Sequence, residues 1–328
     1  MHRGAWLVAA ALLAAPGVAL AYGEPDAAGV PNPEERLTHV YTNQIRQAPH
    51  AWPGWNTALA TPAARKPLAM IPGLYSAARF HADDMAANGC FQHESCDGTL
   101  FETRIARYFD GPSAGENIYS AVGIPGAAAA LTGWMNSDGH RVNILRPEWN
   151  ALGTGFADAG QVYYVQDFGV ASVSVPPIPA AAFESVAGGL RVVANYYDPT
   201  GKAPARLEAV LGEAHLALNR VAGADGNETL DATAAAPTGC VPLYFVAEAA
   251  GGAQTAFPTS GALLVGPTCT ADYTTSRTGG PIGGGGEVID ANDPGGCRCA
   301  RPARGASWLA WLALALPALG RRRRAHRR

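Results

Sequence analysis

The order of hydrophobic periodicities predicts an α+β layered domain followed by a small all-β sandwich of immunoglobulin-like shape. Three observations carry this reading. Helical spacing dominates residues 33–137, two strand-like runs follow over 151–168, and beyond a Pro-rich stretch the chain turns into short strands between turn residues. A chain of 328 residues allows about two domains with appendages. Its 48% hydrophobic and 16% charged composition excludes disorder throughout, and apolar runs confined to the two ends exclude a multi-pass membrane protein.

The first helix follows Asn32, which can cap it, with Pro33 in the first turn and Glu35 three residues after the cap. Leu37, Val40, Tyr41 and Ile45 mark its apolar stripe. After a loop over 48–72, a second helix is expected from Leu74 to Asn88, ended by Gly89, with Leu74, Ala77, Ala78, His81 and Met85 on one face. Shorter helices are expected over Leu100–Tyr108 and Pro125–Ser137, then strands over Ala151–Ala157 and Gln161–Phe168. Pro176, Pro177 and Pro179 mark a linker. Strands are then expected over Leu190–Tyr197, Leu207–Leu211, Ala214–Asn219, Thr229–Thr233, Val241–Glu248 and Ala262–Val265, with Arg206–Asn219 also readable as a helix.

Charge is unevenly placed. Ten of the 24 Lys and Arg residues lie at Arg3 and from Arg298 onward, while all 27 Asp and Glu residues lie between Tyr22 and Gly296. That stretch therefore holds 14 basic against 27 acidic residues, a net charge of −13. An acidic body lacks the clustered cations that phosphates require, so nucleic acid is excluded as a partner.

Both ends read as addresses. A basic start, an apolar run from Ala5 to Leu20 and the small residues around Ala21 predict a signal peptide over 1–21. The Gly-rich run at 283–286 reads as a tether, and after Cys297 and Cys299 an apolar segment of about 15 residues precedes Arg321–Arg324, which reads as a sorting or anchor tail with a transmembrane helix. The expected organisation is thus a signal peptide (1–21), an α+β domain (22–172), a linker (173–183), a β-sandwich (184–275), a tether (276–296) and a tail (297–328). In an exported chain the remaining cysteines favour disulfides. Cys90–Cys96 and Cys240–Cys269 is the pairing that keeps both bridges local, although spacing leaves the connectivity open.

Four segments stand out by their polar motifs: 78–85 (Ala-Arg-Phe-His-Ala-Asp-Asp-Met), Phe91-Gln92-His93, Gly115-Glu116-Asn117-Ile118, and Trp134 to Leu145 with its Ser-Asp-Gly-His-Arg core. The last strand closes on Tyr164-Val165-Gln166-Asp167-Phe168-Gly169. In this order they resemble the CAP superfamily of cysteine-rich secretory, antigen 5 and pathogenesis-related proteins, also called SCP domains, in its bacterial form. The resemblance covers about residues 35–170 and implies an α-β-α sandwich with a cleft. It places His93, Glu116 and His140 in that cleft, with Asn117 and Ser137 beside them; Ser137 stands where other members carry a second acid. It implies ligand binding, with a small-molecule, lipid or peptide as the ligand class.

Two imidazoles and a carboxylate at His93, His140 and Glu116 suit Zn²⁺ or another divalent cation, or form a hydrogen-bonded cluster that braces the cleft. The same three would carry a hydrolase, with Glu116 as general base. No nucleophile-elbow sequence surrounds Ser137. His81 reads as a packed core histidine, and Arg141 and Asn143 as residues fixing the turn after His140. The tail resembles the myxobacterial C-terminal sorting signal, which implies retention at the cell envelope through Cys297 or Cys299.

Overall fold

The computed structural model describes residues 29, 31–53, 62–123 and 125–277. The expected signal peptide (1–21), the expected tether from residue 278 onward and the tail with Cys297 and Cys299 lie outside the described residues. Among those described, no helix is long and apolar enough to cross a membrane.

The first half contains α1 (Pro33–Gln47), β1 (Ala69–Met70), α2 (Pro72–Asn88), α3 (Phe101–Ile105), β2 (Ala114–Val122), α4 (Ala127–Met135), α5 (Asp138–Leu145), β3 (Ala151–Asp158) and β4 (Gln161–Gly169). α1 starts as its sequence predicts. Asn32 Oδ1 accepts from the Glu35 backbone N–H at 2.9 Å and Glu35 Oε2 accepts from the Asn32 N–H at 2.8 Å, a reciprocal pair that satisfies two helix-end donors. α2 ends at Gly89, whose φ of 65° suits glycine.

The four strands form one sheet in the order β1-β3-β4-β2, parallel between β1 and β3 and antiparallel elsewhere. Strand alternation sends its two faces to different helices. On one face lies α2, so close to β3 that a Cβ on Gly153 or Gly155 would stand 2.0 Å from the Leu74 backbone or 2.2 Å from that of Ala78. Only glycine permits that approach. Ala78, Ala82, Met85, Ile118, Tyr163 and Val165 fill the space between. On the other face Tyr164, Phe168, Trp134 and Trp149 pack with α1 and α4.

The two expected strands are present, whereas β1 and β2 were missed. β2 carries the Gly-Glu-Asn motif, a segment to which the sequence assigns no strand. The helix expected over 125–137 breaks at Asn136 and restarts as α5, so His140, Arg141 and Asn143 lie on a second helix and no turn follows His140 directly.

α1 departs most from expectation. Beside its apolar stripe, Thr38, His39, Thr42, Asn43, Arg46 and Gln47 are buried as well. His39, Asn43, Thr42 and Arg46 are engaged within the first half, by Tyr75, Leu68, Gln166 and the Ile144 carbonyl, whereas Gln47 is engaged by the second half of the chain. It contains β5 (Ala181–Val186), β6 (Gly189–Tyr197), β7 (Arg206–Leu211), β8 (Ala214–Ala217), β9 (Asn219–Ala224), β10 (Asn227–Ala234), β11 (Val241–Glu248), β12 (Gln254–Phe257), β13 (Ala262–Val265) and β14 (Tyr273–Thr274). These form two sheets, β5-β6-β10-β9 and β14-β13-β11-β7-β8 with β12 added to β11. Residues 206–219 are strands, not the alternative helix.

The first of these sheets covers α1. Gln47 Nε2 donates to the Tyr196 and Glu228 carbonyls at 3.2 and 3.1 Å, Asn195 Nδ2 donates to the Val40 carbonyl at 3.2 Å, and the Tyr41 hydroxyl donates to Glu184 at 2.6 Å. Arg46 donates to the Ile144 and Arg146 carbonyls at 2.7 and 2.9 Å, closing the C-terminal end of α5. The Pro-rich stretch between the halves is packed: Ile178 and Ala180–Ala182 are buried, and one apolar core runs from α1 into the β-rich half. The bridges Cys90–Cys96 and Cys240–Cys269 are both formed.

Candidate functional site

The site is built on the edge strand β2. Successive residues of a strand point to opposite faces, so Glu116 and Asn117 reach different neighbours. Glu116 faces α2 and the loop closed by Cys90–Cys96. There its Oε1 lies 2.8 Å from His93 Nδ1, and its Oε2 accepts from the Arg104 guanidinium of α3. His81 of α2, which is buried, has Nε2 4.0 Å from Glu116 Oε1 and 3.0 Å from the Gln92 carbonyl. Arg104 also donates to the His93 carbonyl at 3.0 Å and to Ser95 Oγ at 3.2 Å. His93 is therefore held at backbone and ring, while 47% of its side chain remains exposed.

Asn117 faces the other way. Its Nδ2 donates to the His140 carbonyl at 3.2 Å and to Gln166 Oε1 at 3.0 Å. Asn143 Nδ2 donates to the Glu116 carbonyl and to Asn117 Oδ1, both at 3.1 Å. The N-terminal part of α5 is thus tied to β2, and half-buried His140 comes close enough for the charge of His93 to act on it. Ser137 stands at the N-cap of α5 with no side-chain cap bond, and Asp138 turns outward to pair with Arg141.

The electrostatics separate the histidines. The hydrogen bond to Glu116 raises the pKa of His93, whereas burial first and the charge of His93 second lower that of His140. Burial also lowers His81. Near neutrality His93 is the imidazole biased toward the charged form. With Nδ1 turned to Glu116, its Nε2 is the nitrogen available to a ligand.

Sequence reading missed two members of this site. Arg104 is fully buried, as is Asp167 of β4, the cross-strand neighbour of Glu116. Burial pushes the Asp167 carboxyl well above the usual carboxylate range, with the adjacent Glu116 charge adding to it.

The donor set does not suit a metal ion. Both Glu116 oxygens are engaged, one by a buried guanidinium that a cation would have to displace. Among the described residues, three His, Cys, Asp or Glu donor atoms come within ligand range of one another only at Asp84, Cys90 and Cys96, where the cysteines are bonded to each other. Two half-exposed imidazoles fall short of the three or four protein ligands a zinc site needs.

Residues 40–169 match the family described as the cysteine-rich secretory protein family, CAP. The protein YkwD of Bacillus subtilis is 34% identical over 105 residues, covering 32% of this chain and 40% of that protein. The membrane protein YlbC of the same organism is 39% identical over 90 residues, covering 27% and 24%. A crystal structure of an extracellular SCP-domain protein from Bacillus anthracis is 31% identical, with a TM-score of 0.34 over 42% of this chain and 40% of that one. The chain spans less than half the length of each of these three relatives. Residues 40–169 are a CAP domain, and the whole site described above lies within it.

Proposed function

We propose that the chain is an exported CAP-domain protein whose cleft binds a ligand bearing an acceptor oxygen, such as a carboxylate or phosphate, between His93 and His140. The observation that carries this reading is the full engagement of Glu116. A metal-dependent hydrolase would need that carboxylate to hold a water or accept its proton, and Arg104 and His93 already occupy both oxygens. What the arrangement leaves for a ligand is a protonatable Nε2 on His93 and the half-buried ring of His140. Phe91 and Val142, two residues from these histidines, are exposed at 52% and 65%, which favours a ligand with an apolar part.

NMR titration with a soluble monoacyl phosphate, following both imidazoles, tests the reading. Saturable shifts at His93 and His140 are expected, lost in His93→Ala and weakened as pH rises and His93 deprotonates. Shifts that ignore His93, or cleavage of a peptide library that requires His93 and His140, would overturn it.

The β-rich half, read as an immunoglobulin-like sandwich, is in this proposal a spacer or adhesive module. Retention at the cell envelope rests on the tail sequence. A chain lacking residues 297–328 should appear in the medium, and its persistence on cells would refute the tail's role.

A further inference from the structure

One buried cation faces two buried carboxyl groups. Glu116 and Asp167 are cross-strand partners on β2 and β4, so their side chains leave the sheet on the same face, beneath α2. Glu116 is 5% exposed, and Asp167 and Arg104 are at 0%. Arg104 is committed to Glu116 Oε2, the His93 carbonyl and Ser95 Oγ. Both oxygens of Asp167 are buried with no donor among the described residues. The nearest position on its other neighbouring strand is Gly153, which has no side chain to offer. On its other side the cross-strand partner of Asp167 is the buried Glu116, whose charge bears on it. Two carboxylates cannot bond each other, but a protonated one donates to an ionised one.

We propose that Asp167 keeps its proton at neutral pH and donates it to Glu116, making Asp167 a positioning residue for His93. The Glu116–Asp167 pair then carries one negative charge, matched by Arg104, and the interior beneath α2 is neutral. Glu116 is held on three sides: by Arg104, by the Asp167 hydroxyl and by His93. Its Oε1 is thereby aimed at His93 Nδ1, which fixes the ring with Nε2 outward. The groups that face the pair are His81 from α2, Arg104 from α3, His93 from the bridged loop and, across the strand edge, His140 from α5. His81, buried and biased neutral, does not supply a second cation. The inference rests on the binding role of His93 only for its consequence, because its test uses no ligand.

The test is the NMR titration of His93 in the full chain and in Asp167→Asn. Asparagine keeps the shape and a donor toward Glu116 but cannot ionise. If Asp167 is already neutral, His93 should titrate within about 0.3 unit of wild type, since no charge is lost. A fall of about 1 unit or more would show that a negative charge had been removed and would overturn the proposal. Asp167→Leu, which has no donor, should raise the His93 value relative to Asp167→Asn, because Glu116 loses a hydrogen bond that stabilised its charge. No difference between the two variants would contradict a positioning role. An infrared spectrum of the wild-type protein at neutral pH needs no variant to interpret its main feature. A protonated-carboxyl stretch that vanishes only on titration to alkaline pH is expected; its absence would overturn the proposal even if the variants failed to fold.

Discussion

The two faces of the CAP sheet solve the same problem with different chemistry. Both bury polar groups against helices. On the α1 face the groups around Asn117 are neutral: Asn117 donates to Gln166, Gln166 to Thr42 at 2.6 Å, Thr42 to the Thr38 carbonyl at 2.6 Å, and Thr154 to the Glu35 carbonyl at 2.8 Å. The charged residues that α1 buries, Arg46 and the Glu35 paired with Arg79, are engaged outside this network. His39, buried beside this network, has its pKa pushed down to about 4 by burial and stays uncharged. On the α2 face the groups are ionisable: Glu116, Asp167, Arg104, His81 and His93. Neutral amides that satisfy each other brace a structure without responding to pH. A buried ionic cluster is costly to keep and is sensitive to the loss of any member. The ionic cluster lies beneath the exposed ring of His93, whereas the neutral network ties β2 to α5.

This contrast makes graded predictions. Arg104→Met removes the fully buried cation from the α2 face and should cost about 3–5 kcal/mol in urea unfolding at neutral pH, the scale for breaking a buried ion pair. A cost under about 1 kcal/mol would mean that the pair is not buried in solution. Asn117→Ala breaks the amide network and should cost less, about 1–3 kcal/mol for the groups left unpaired, with no dependence on pH beyond that of the wild type. A strongly pH-dependent cost at Asn117 would erase the distinction between the faces.

Much of this was legible in the sequence where local chemistry decides the outcome. Asn32, Pro33 and Glu35 specify the start of α1, Gly89 specifies the end of α2, and the cysteine spacing favours both bridges. The resemblance groups His93, Glu116 and His140, and in the structure His93 bonds Glu116 of β2 while the His140 carbonyl accepts from Asn117 beside it. What escaped reading depends on partners far away in sequence. The strand carrying Asp167 is expected from the sequence, but its burial depends on pairing with β2, a strand the sequence does not announce. Arg104 sits in a short helix whose pattern resembles a solvated surface; only its contact with Glu116, 12 residues on, makes it a buried cation. The polar flank of α1 looks solvent-facing until Leu68, Gln166 and Ile144 on one side and β6 and β10 at Gln47 cover it, and no local signal announces that cover. Helix-break geometry at Asn136 was likewise invisible to an apolar period that runs on through Ser137.

The smallest and most direct effect is on proton equilibria at the cleft. Because the value of His93 is raised in the folded protein, its ionised form stabilises the fold fully below the ordinary histidine range, and that contribution is lost as pH rises through the folded value. His140, lowered by burial, behaves oppositely: its contribution is present above the ordinary range and lost as pH falls. The decisive measurement is therefore a histidine NMR titration of the wild-type chain and of Glu116→Gln. The account predicts that His93 titrates above about 6.5 and His140 below it, and that Glu116→Gln lowers His93 past its ordinary value. His140 titrating above His93, or a His93 value unmoved by Glu116→Gln, would contradict the claim that Glu116 holds and charges the ligand-facing imidazole.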